Sequence, residues 1–263
     1  MTYRAIFTDI DGTLLTSAHT ISARTLAAVQ RVIALGVPVI LASARPPLAV
    51  APLVAQIGGG QPFIAFNGAL IFDGKGEILH SMTLDNASLR QLEPLLESRH
   101  DIAVNYYCGT AWYAPDPANR WTAQEEKITA LSAARKPEEI ENAHKILVMG
   151  EADTIAALEA ALQARFPHLA IYRSKDTYLE IVNPAVNKAA AVRLLRERLG
   201  VARDATIAFG DHYNDLDMLR DAGYGVAMGN APAAMQAQVA HTTAGNDEDG
   251  MALVLERLFP VDC

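Results

Sequence analysis

Residues 7–14 read Phe7-Thr8-Asp9-Ile10-Asp11-Gly12-Thr13-Leu14, FTDIDGTL. They close a short apolar run, residues 3 to 8, that is apolar on both faces and so predicts a buried strand. Two carboxylates then stand two positions apart, followed by glycine and a small hydroxyl residue. Asp-Gly is a common turn pair, so one reading is an ordinary strand end followed by an Asx or glycine turn. The other is a pair of acids held ready for chemistry. These residues alone leave both open.

The pattern around this stretch sets the fold class. Residues 22 to 35 predict a helix, with Ser22 as N-cap, Leu26, Val29 and Ile33 on one face, and Gly36 as the stop. Val37 to Ala42 is a second apolar run. A helix over 46–57 follows, opened by Pro46 and Pro47, with Pro52 inside it expected to kink or shorten it. Residues 62 to 66 predict a third strand, and Asp73-Gly74 between two short runs signals a hairpin. Alternating strands and helices imply right-handed crossovers and a mostly parallel sheet.

From about 83 to 184 the character changes. Both tryptophans lie here, with Tyr106, Tyr107, Tyr113, Tyr172 and Tyr178. Strand-like pieces come in pairs, 102–107 with 110–114 and 168–173 with 177–182, accompanied by helical stretches near 86–98 and 152–165. That predicts an α+β module with an antiparallel sheet. After 185 the first pattern resumes, with a helix from 188, a buried strand at 206–209, helix at 213–221, a short strand at Val226 and a helix near 248–258. The expected architecture is a Rossmann-like, doubly wound α/β core, residues 1–82 plus 185–263, with an inserted α+β domain at 83–184.

Bulk properties narrow the partners. A chain of 263 residues with a net charge of −8 repels nucleic acid and anionic lipid. Two cysteines, Cys108 and Cys263, make no disulfide framework, and no window approaches the roughly 18–20 apolar residues of a membrane span. With no signal-peptide pattern at the N-terminus, the expectation is a soluble, cytoplasmic protein. Oligomeric state has no sequence signature here.

Strand ends of a doubly wound sheet converge where ligands bind. The first strand ends at Asp9, the second at Ser43, and IAFGDHYND carries Asp211 just beyond another. Clustered carboxylates repel one another and are relieved by a divalent cation, and hard oxygen ligands suit Mg²⁺. Asn214 and Asp215 fall near the next helical turn, where an acid is also an ordinary N-terminal cap. Ser43 in Ser43-Ala44-Arg45 is either a turn residue or an anion ligand. Lys188 follows Asn187, a good N-cap, so it opposes the helix dipole. It is either a solvated surface lysine or the neutraliser of a bound phosphate. No G-x-S-x-G elbow, Walker loop or zinc spacing occurs.

Taken in order, these residues resemble the haloacid dehalogenase superfamily, and within it the Cof-type phosphatases with a large α/β cap. Asp9-Ile10-Asp11-Gly12-Thr13 resembles the first motif, D-x-D-G-T. Ser43 takes the hydroxyl position of the second and Lys188 is the third. Gly210-Asp211-His212-Tyr213-Asn214-Asp215 resembles the fourth, G-D-x-x-N-D. NGA at 67–69, VAMGNA at 226–231 and NDEDG at 246–250 resemble further signatures of the subfamily.

The resemblance implies a Mg²⁺-dependent phosphatase acting on a small phosphorylated metabolite, with a sugar phosphate as the expected substrate. Asp9 would be the nucleophile and Asp11 the general acid and base. The ion would sit on Asp9, the Asp11 carbonyl and Asp211. Ser43, Ala44, Arg45, Asn67, Lys188 and Asn214 would serve the phosphate or substrate, with Asp215 in support. The inserted domain would be the cap that selects substrate. One departure is Ala44, where the subfamily commonly has glycine in Thr-Gly-Arg. Arg45 would either touch substrate or pair with a carboxylate of the core. Two alternatives stand beside this reading: a phosphotransferase of the phosphomannomutase type, and a non-catalytic phospholigand-binding protein.

Overall fold

The computed structural model describes residues 2–260. Cys263 lies outside the described residues, and Cys108 is a free thiol.

The chain opens with β1 (Ala5–Thr8), α1 (Ala23–Ala34), β2 (Val39–Ala42), α2 (Pro47–Gln56), β3 (Phe63–Ala65), β4 (Leu70–Phe72) and β5 (Ile78–Ser81). Ser22 caps α1 as its spacing predicts, its hydroxyl accepting from the Thr25 N–H. Pro52 does not end α2, which runs through it to Gln56. The strand feeding the acids is wholly buried, which explains why it is apolar on both faces. Asp73 organises the turn before β5, its carboxylate accepting from the Lys75 and Glu77 N–H groups at 2.8 Å each.

The middle of the chain forms α3 (Asn86–Glu97), β6 (Ile102–Cys108), β7 (Ala111–Ala114), α4 (Arg120–Thr129), β8 (Ala134–Arg135), β9 (Lys145–Gly150), α5 (Ala152–Arg165), β10 (Ala170–Lys175) and β11 (Tyr178–Val182). The remainder forms α6 (Lys188–Arg198), β12 (Thr206–Gly210), α7 (Leu216–Asp221), β13 (Tyr224–Ala227), α8 (Ala233–Gln236), β14 (His241–Thr242) and α9 (Gly250–Leu258).

Two compact units result. One comprises residues 1–45, 50–80 and 187–263, the other 46–49 and 81–186. The first holds a sheet ordered β14-β13-β12-β1-β2-β3-β4-β5. Its pairs from β14 to β3 are parallel, and β4 reverses against β3. The order runs outward in both directions from β1, so β1 and β12 are neighbours, and the loops after them leave the same end of the sheet. Phe7, Ile40, Ala208, Val192, Leu195 and Met218 pack in its core.

The second unit holds a sheet ordered β10-β11-β9-β6-β7-β8. Four of its pairs are antiparallel, and β7 with β8 is parallel. Both predicted hairpins form, but the strand between them, β9, is a central strand that hairpin spacing does not reveal. One face packs Val104, Tyr106, Ile146, Val148 and Ile181 against Leu89 and Leu92 of α3 and Ile155 and Leu158 of α5. Most of the aromatics serve packing. Tyr106, Tyr107, Trp112 and Tyr178 are buried. The Trp112 indole donates to Asn105 Oδ1 at 2.9 Å. No helix among the described residues is long and apolar enough to cross a membrane.

Candidate active site

The acids of FTDIDGTL lie in the first unit, at the end of β1. Asp9 continues the strand far enough that its N–H donates to the Phe209 carbonyl of β12 at 3.0 Å. The chain then turns sharply. Leu15 N–H returns to the Ile10 carbonyl at 2.9 Å, and Gly12 takes φ +80°. That glycine is required twice over. Its backbone lies where L side chains are strained, and a Cβ there would stand 2.3 Å from Asp211 Oδ2. The turn is present as expected, and it presses the first loop against a third carboxylate.

Lys188 is the hub. It is 1% exposed, so the solvated-lysine reading is wrong. Its Nζ donates to Asp9 Oδ1 and, at 2.6 Å, to Asp215 Oδ1. Asn187 places it, its side chain capping α6 by accepting from the Ala190 N–H at 2.7 Å. The unfavourable position of a cation in the first turn is offset by two buried carboxylates. Asp215 is a cap as well. Its Oδ2 accepts from the Asp211 and His212 N–H groups at 3.1 Å each.

Asp9, Asp211 and Asp215 offer oxygens that all lie within 4.8 Å of one another. Asp215 is the most heavily engaged of the three, with Lys188 on Oδ1 and two backbone N–H groups on Oδ2, so Asp9 and Asp211 are better placed to receive a cation. Asp211 is oriented by the Thr13 hydroxyl, which donates to its Oδ1 at 2.7 Å. Against these three acids stands one lysine, leaving surplus negative charge in a largely dry place.

The electrostatics record that surplus. Burial pushes the Asp9 carboxyl up, to about 8, with Lys188 pulling against it and Asp215 and Asp211 adding to the rise. Burial also pushes Asp211 upward. Burial disfavours the Lys188 ammonium too, yet Asp9 and Asp215 outweigh it and hold the group above the ordinary lysine range. A simple ion pair would lower one partner while raising the other. The contacts resolve the conflict: an ammonium bonded to two carboxylates stays charged, while burial, with Asp215 and Asp211 adding to it, lifts Asp9 in spite of Lys188. An all-oxygen donor set with excess negative charge, and a bare glycine backbone against Asp211, fits a hard divalent cation such as Mg²⁺.

Asp11 is set apart from this cluster. It is exposed, and Arg45 grips it through two parallel bonds. Of the two roles open to Arg45 in the sequence, the carboxylate pairing is the one present. Ser43 is buried at the end of β2, its Oγ accepting from the Arg45 N–H at 3.1 Å. The loop from Ser43 to Arg45 is pinned by the next one. Asn67 N–H donates to the Ser43 carbonyl at 2.8 Å and Phe66 N–H to the Arg45 carbonyl at 3.1 Å. Phe66 and Asn67 both take positive φ, 49° and 55°, a strained pair of non-glycine residues held by those bonds. Asn214 is exposed and reaches Asn67, Nδ2 to Oδ1 at 3.4 Å. Ala44 is half-buried within the pinned loop.

Sequence reasoning assigned no role to Asn230, Thr13 or Asn246, which tie these loops together. Their bonds to the site span up to 231 residues of sequence, and the only signal of them is that they lie inside D-x-D-G-T, VAMGNA and NDEDG.

Residues 6–255 match the haloacid dehalogenase-like hydrolase family. A Haemophilus influenzae protein with a provisional phosphatase name is 40% identical over 267 residues, covering 99% of this chain and 100% of its own. The 5-amino-6-(5-phospho-D-ribitylamino)uracil phosphatase of Bacillus subtilis is 30% identical over 261 residues, covering 95% of this chain and 96% of that protein. The solved structure of a haloacid dehalogenase-like hydrolase from Bacteroides thetaiotaomicron matches with a TM-score of 0.91 at 29% identity, covering 98% of this chain and 100% of that one. With its two-acid loop, its buried lysine and its third carboxylate in that order along the chain, this chain belongs to the haloacid dehalogenase-like hydrolase family.

Proposed function

We propose that the protein is a Mg²⁺-dependent phosphatase that hydrolyses a small phosphorylated metabolite through an aspartyl-phosphate on Asp9. The observation that carries this reading is the buried Lys188 bridging Asp9 and Asp215 beside Asp211. A lysine so placed works against the burial that raises the Asp9 carboxyl and so favours the anionic nucleophile.

Lys188 occupies Asp9 Oδ1, so Oδ2 is the attacking oxygen. The Asp9–phosphorus bond forms as the bond from phosphorus to the leaving oxygen breaks, and Asp11 gives that oxygen its proton. Asp11 then takes a proton from water, whose oxygen attacks phosphorus, and Asp9 leaves as a free carboxylate with phosphate released. Exposure at the mouth suits Asp11 to both transfers. Arg45 donates to both Asp11 oxygens, so it must swing off Asp11, onto substrate oxygens, before Asp11 can reach the leaving group.

The Ser43 hydroxyl, whose lone pair already accepts from Arg45 N–H, donates its hydrogen to a phosphoryl oxygen. Asn67 and Asn214 flank the leaving group, and Ala44 lends its backbone to the same cradle. When bound by Asp9, Asp211 and the Asp11 carbonyl, Mg²⁺ supplies the positive charge that phosphoryl transfer requires. The α+β unit selects the leaving group, and a sugar phosphate is the substrate class we favour. The similarity to a ribitylaminouracil phosphatase supports a small phosphorylated metabolite as the wider class.

The test is phosphate release from p-nitrophenyl phosphate with and without Mg²⁺, in wild type and Asp9→Asn. Turnover by Asp9→Asn at the wild-type rate, or turnover indifferent to Mg²⁺, overturns the reading. A phosphate-release screen over sugar phosphates, nucleotides, pyridoxal phosphate and flavin mononucleotide then ranks substrates. A parallel incubation with hexose 1-phosphate, assayed for hexose 6-phosphate, separates hydrolysis from transfer.

A further inference from the structure

The C-terminal stretches VAMGNA and NDEDG have no role in the chemistry above, yet they reach directly into the site. Asn230 follows β13, the strand paired in parallel with β12. From there its side-chain Nδ2 donates to the Gly12 carbonyl at 2.9 Å and lies 3.5 Å from Asp211 Oδ2. Its Oδ1 accepts from the Asn246 N–H at 3.1 Å, which fixes the amide so that its NH₂ faces the site. The loop carrying it cannot drift. Met228 N–H donates to the Gly210 carbonyl and Gly229 N–H to the Ala244 carbonyl, each at 3.0 Å.

We propose that Asn230 is a positioning residue that holds the Asp211 carboxylate and the Gly12 backbone in the geometry that receives the divalent cation. Asp211 is thereby gripped from two sides, Thr13 at Oδ1 and Asn230 at Oδ2. Gly12 is gripped at its carbonyl while its Cα lies against the same carboxylate. One amide thus couples the Asp9–Asp11 loop to Asp211, two segments 198 residues apart at their Thr13–Asp211 contact. Groups that orient the ligands of an ion typically change its affinity 10–100-fold when removed.

The competing explanation is that the C-terminal loops only stitch the fold. Asn246 separates the two. Its side chain holds the Leu15 carbonyl at 2.9 Å, while its contribution to Asn230 is a backbone N–H that any residue retains. Asn246→Ala therefore removes a stitch and keeps the amide oriented, whereas Asn230→Ala removes the grip on Asp211.

This rests on the Mg²⁺-phosphatase reading, so the experiment measures ion binding directly by calorimetry on the full chain, alongside p-nitrophenyl phosphate kinetics and thermal unfolding in EDTA. Asn230→Ala should bind Mg²⁺ about 10-fold more weakly. Its kcat should fall at sub-saturating Mg²⁺, with KM for p-nitrophenyl phosphate and the unfolding temperature near wild type. Asn246→Ala should bind Mg²⁺ as wild type does. Equal Mg²⁺ affinity in wild type and Asn230→Ala overturns the proposal while leaving the phosphatase reading standing. So does an equal loss in both variants. Absence of Mg²⁺ binding in wild type overturns both. Asn230→Ser, which keeps a hydroxyl but falls short of Asp211, is read by the same criteria if Asn230→Ala does not fold.

Discussion

The Arg45 guanidinium meets Asp11 through a fork, Nε to Oδ2 at 2.8 Å and Nη2 to Oδ1 at 2.5 Å. The two side chains are 29% and 48% exposed, so water screens the pair and it contributes no more than about 1 kcal/mol to stability. In the proposed reaction its value lies in holding Asp11 in place before substrate binds and in gripping substrate oxygens afterwards. Arg45→Ala should unfold in urea close to wild type, while kcat for p-nitrophenyl phosphate falls on the order of 100-fold, the scale of a misplaced catalytic group. Arg45→Lys should recover little, because an ammonium cannot reproduce the fork. A wild-type kcat in Arg45→Ala would show that Asp11 is aimed by something else.

Lys188 and Asp215 make the opposite case, because both are dry. Lys188→Met leaves Asp9 and Asp215 facing each other without a counter-charge. The loss should be about 3–5 kcal/mol at pH 7, measured by urea unfolding. It should grow as pH rises above about 8, where Asp9 ionises, and be smaller below it, since a protonated Asp9 has no charge to set against Asp215. A pH-independent loss would point to lost packing instead.

Asp9→Asn should separate stability from chemistry. The change removes one of three crowded acids and leaves Lys188 paired with Asp215. Activity should drop by roughly 10⁴-fold or more, as for loss of a nucleophile elsewhere. The unfolding temperature, read by circular dichroism in EDTA, should stay level or rise. A marked fall would mean that Asp9 contributes to the fold more than its charge costs.

Much of this is legible in the sequence. The buried run into Asp9, the Ser22 and Asn187 caps, and the motif order all follow from local rules, because caps and strand ends involve neighbours in sequence. The misses are non-local. Lys145–Gly150 is apolar enough to be a strand, but its partners β6 and β11 lie on either side of it with no hairpin turn to announce them. The burial of Lys188 depends on Asp9, 179 residues away, so helix position alone left it ambiguous. The pairing of Arg45 with Asp11 joins residues 34 apart in sequence, so no local pattern announces it.

His144 provides a pH handle outside the site. Its Nδ1 accepts from the Gly109 N–H at 3.0 Å, and its Nε2 lies 3.0 Å from the Ser81 hydroxyl. Burial pulls its pKa down to about 4 from the ordinary 6.5. The unfolded chain therefore binds the extra proton between those values and the folded chain does not. Stability from this group is full above about pH 6.5 and declines as pH falls toward 4. Urea titrations from pH 7 to pH 4 should show a shallower decline in His144→Gln than in wild type. Parallel slopes would assign the acid sensitivity to other groups.

Gly12 and Gly36 together isolate what the first loop does for Asp211. Their backbones are nearly identical, φ +80° and +81°, so alanine costs each the same conformational strain, about 1–2 kcal/mol. Their surroundings differ completely. A Cβ at Gly36 meets nothing within 4 Å, whereas one at Gly12 meets all three atoms of the Asp211 carboxyl group at 2.3–3.0 Å. Gly36→Ala should therefore report strain alone and keep full activity. Gly12→Ala should lose the same strain energy and, in addition, displace Asp211 from Thr13, abolishing Mg²⁺-stimulated turnover. The difference between the two, in urea unfolding and in calorimetric Mg²⁺ affinity, measures the contact by itself. Equal behaviour in both assays would mean that Asp211 yields without cost, and the close approach of the two loops would then have no part in holding the ion.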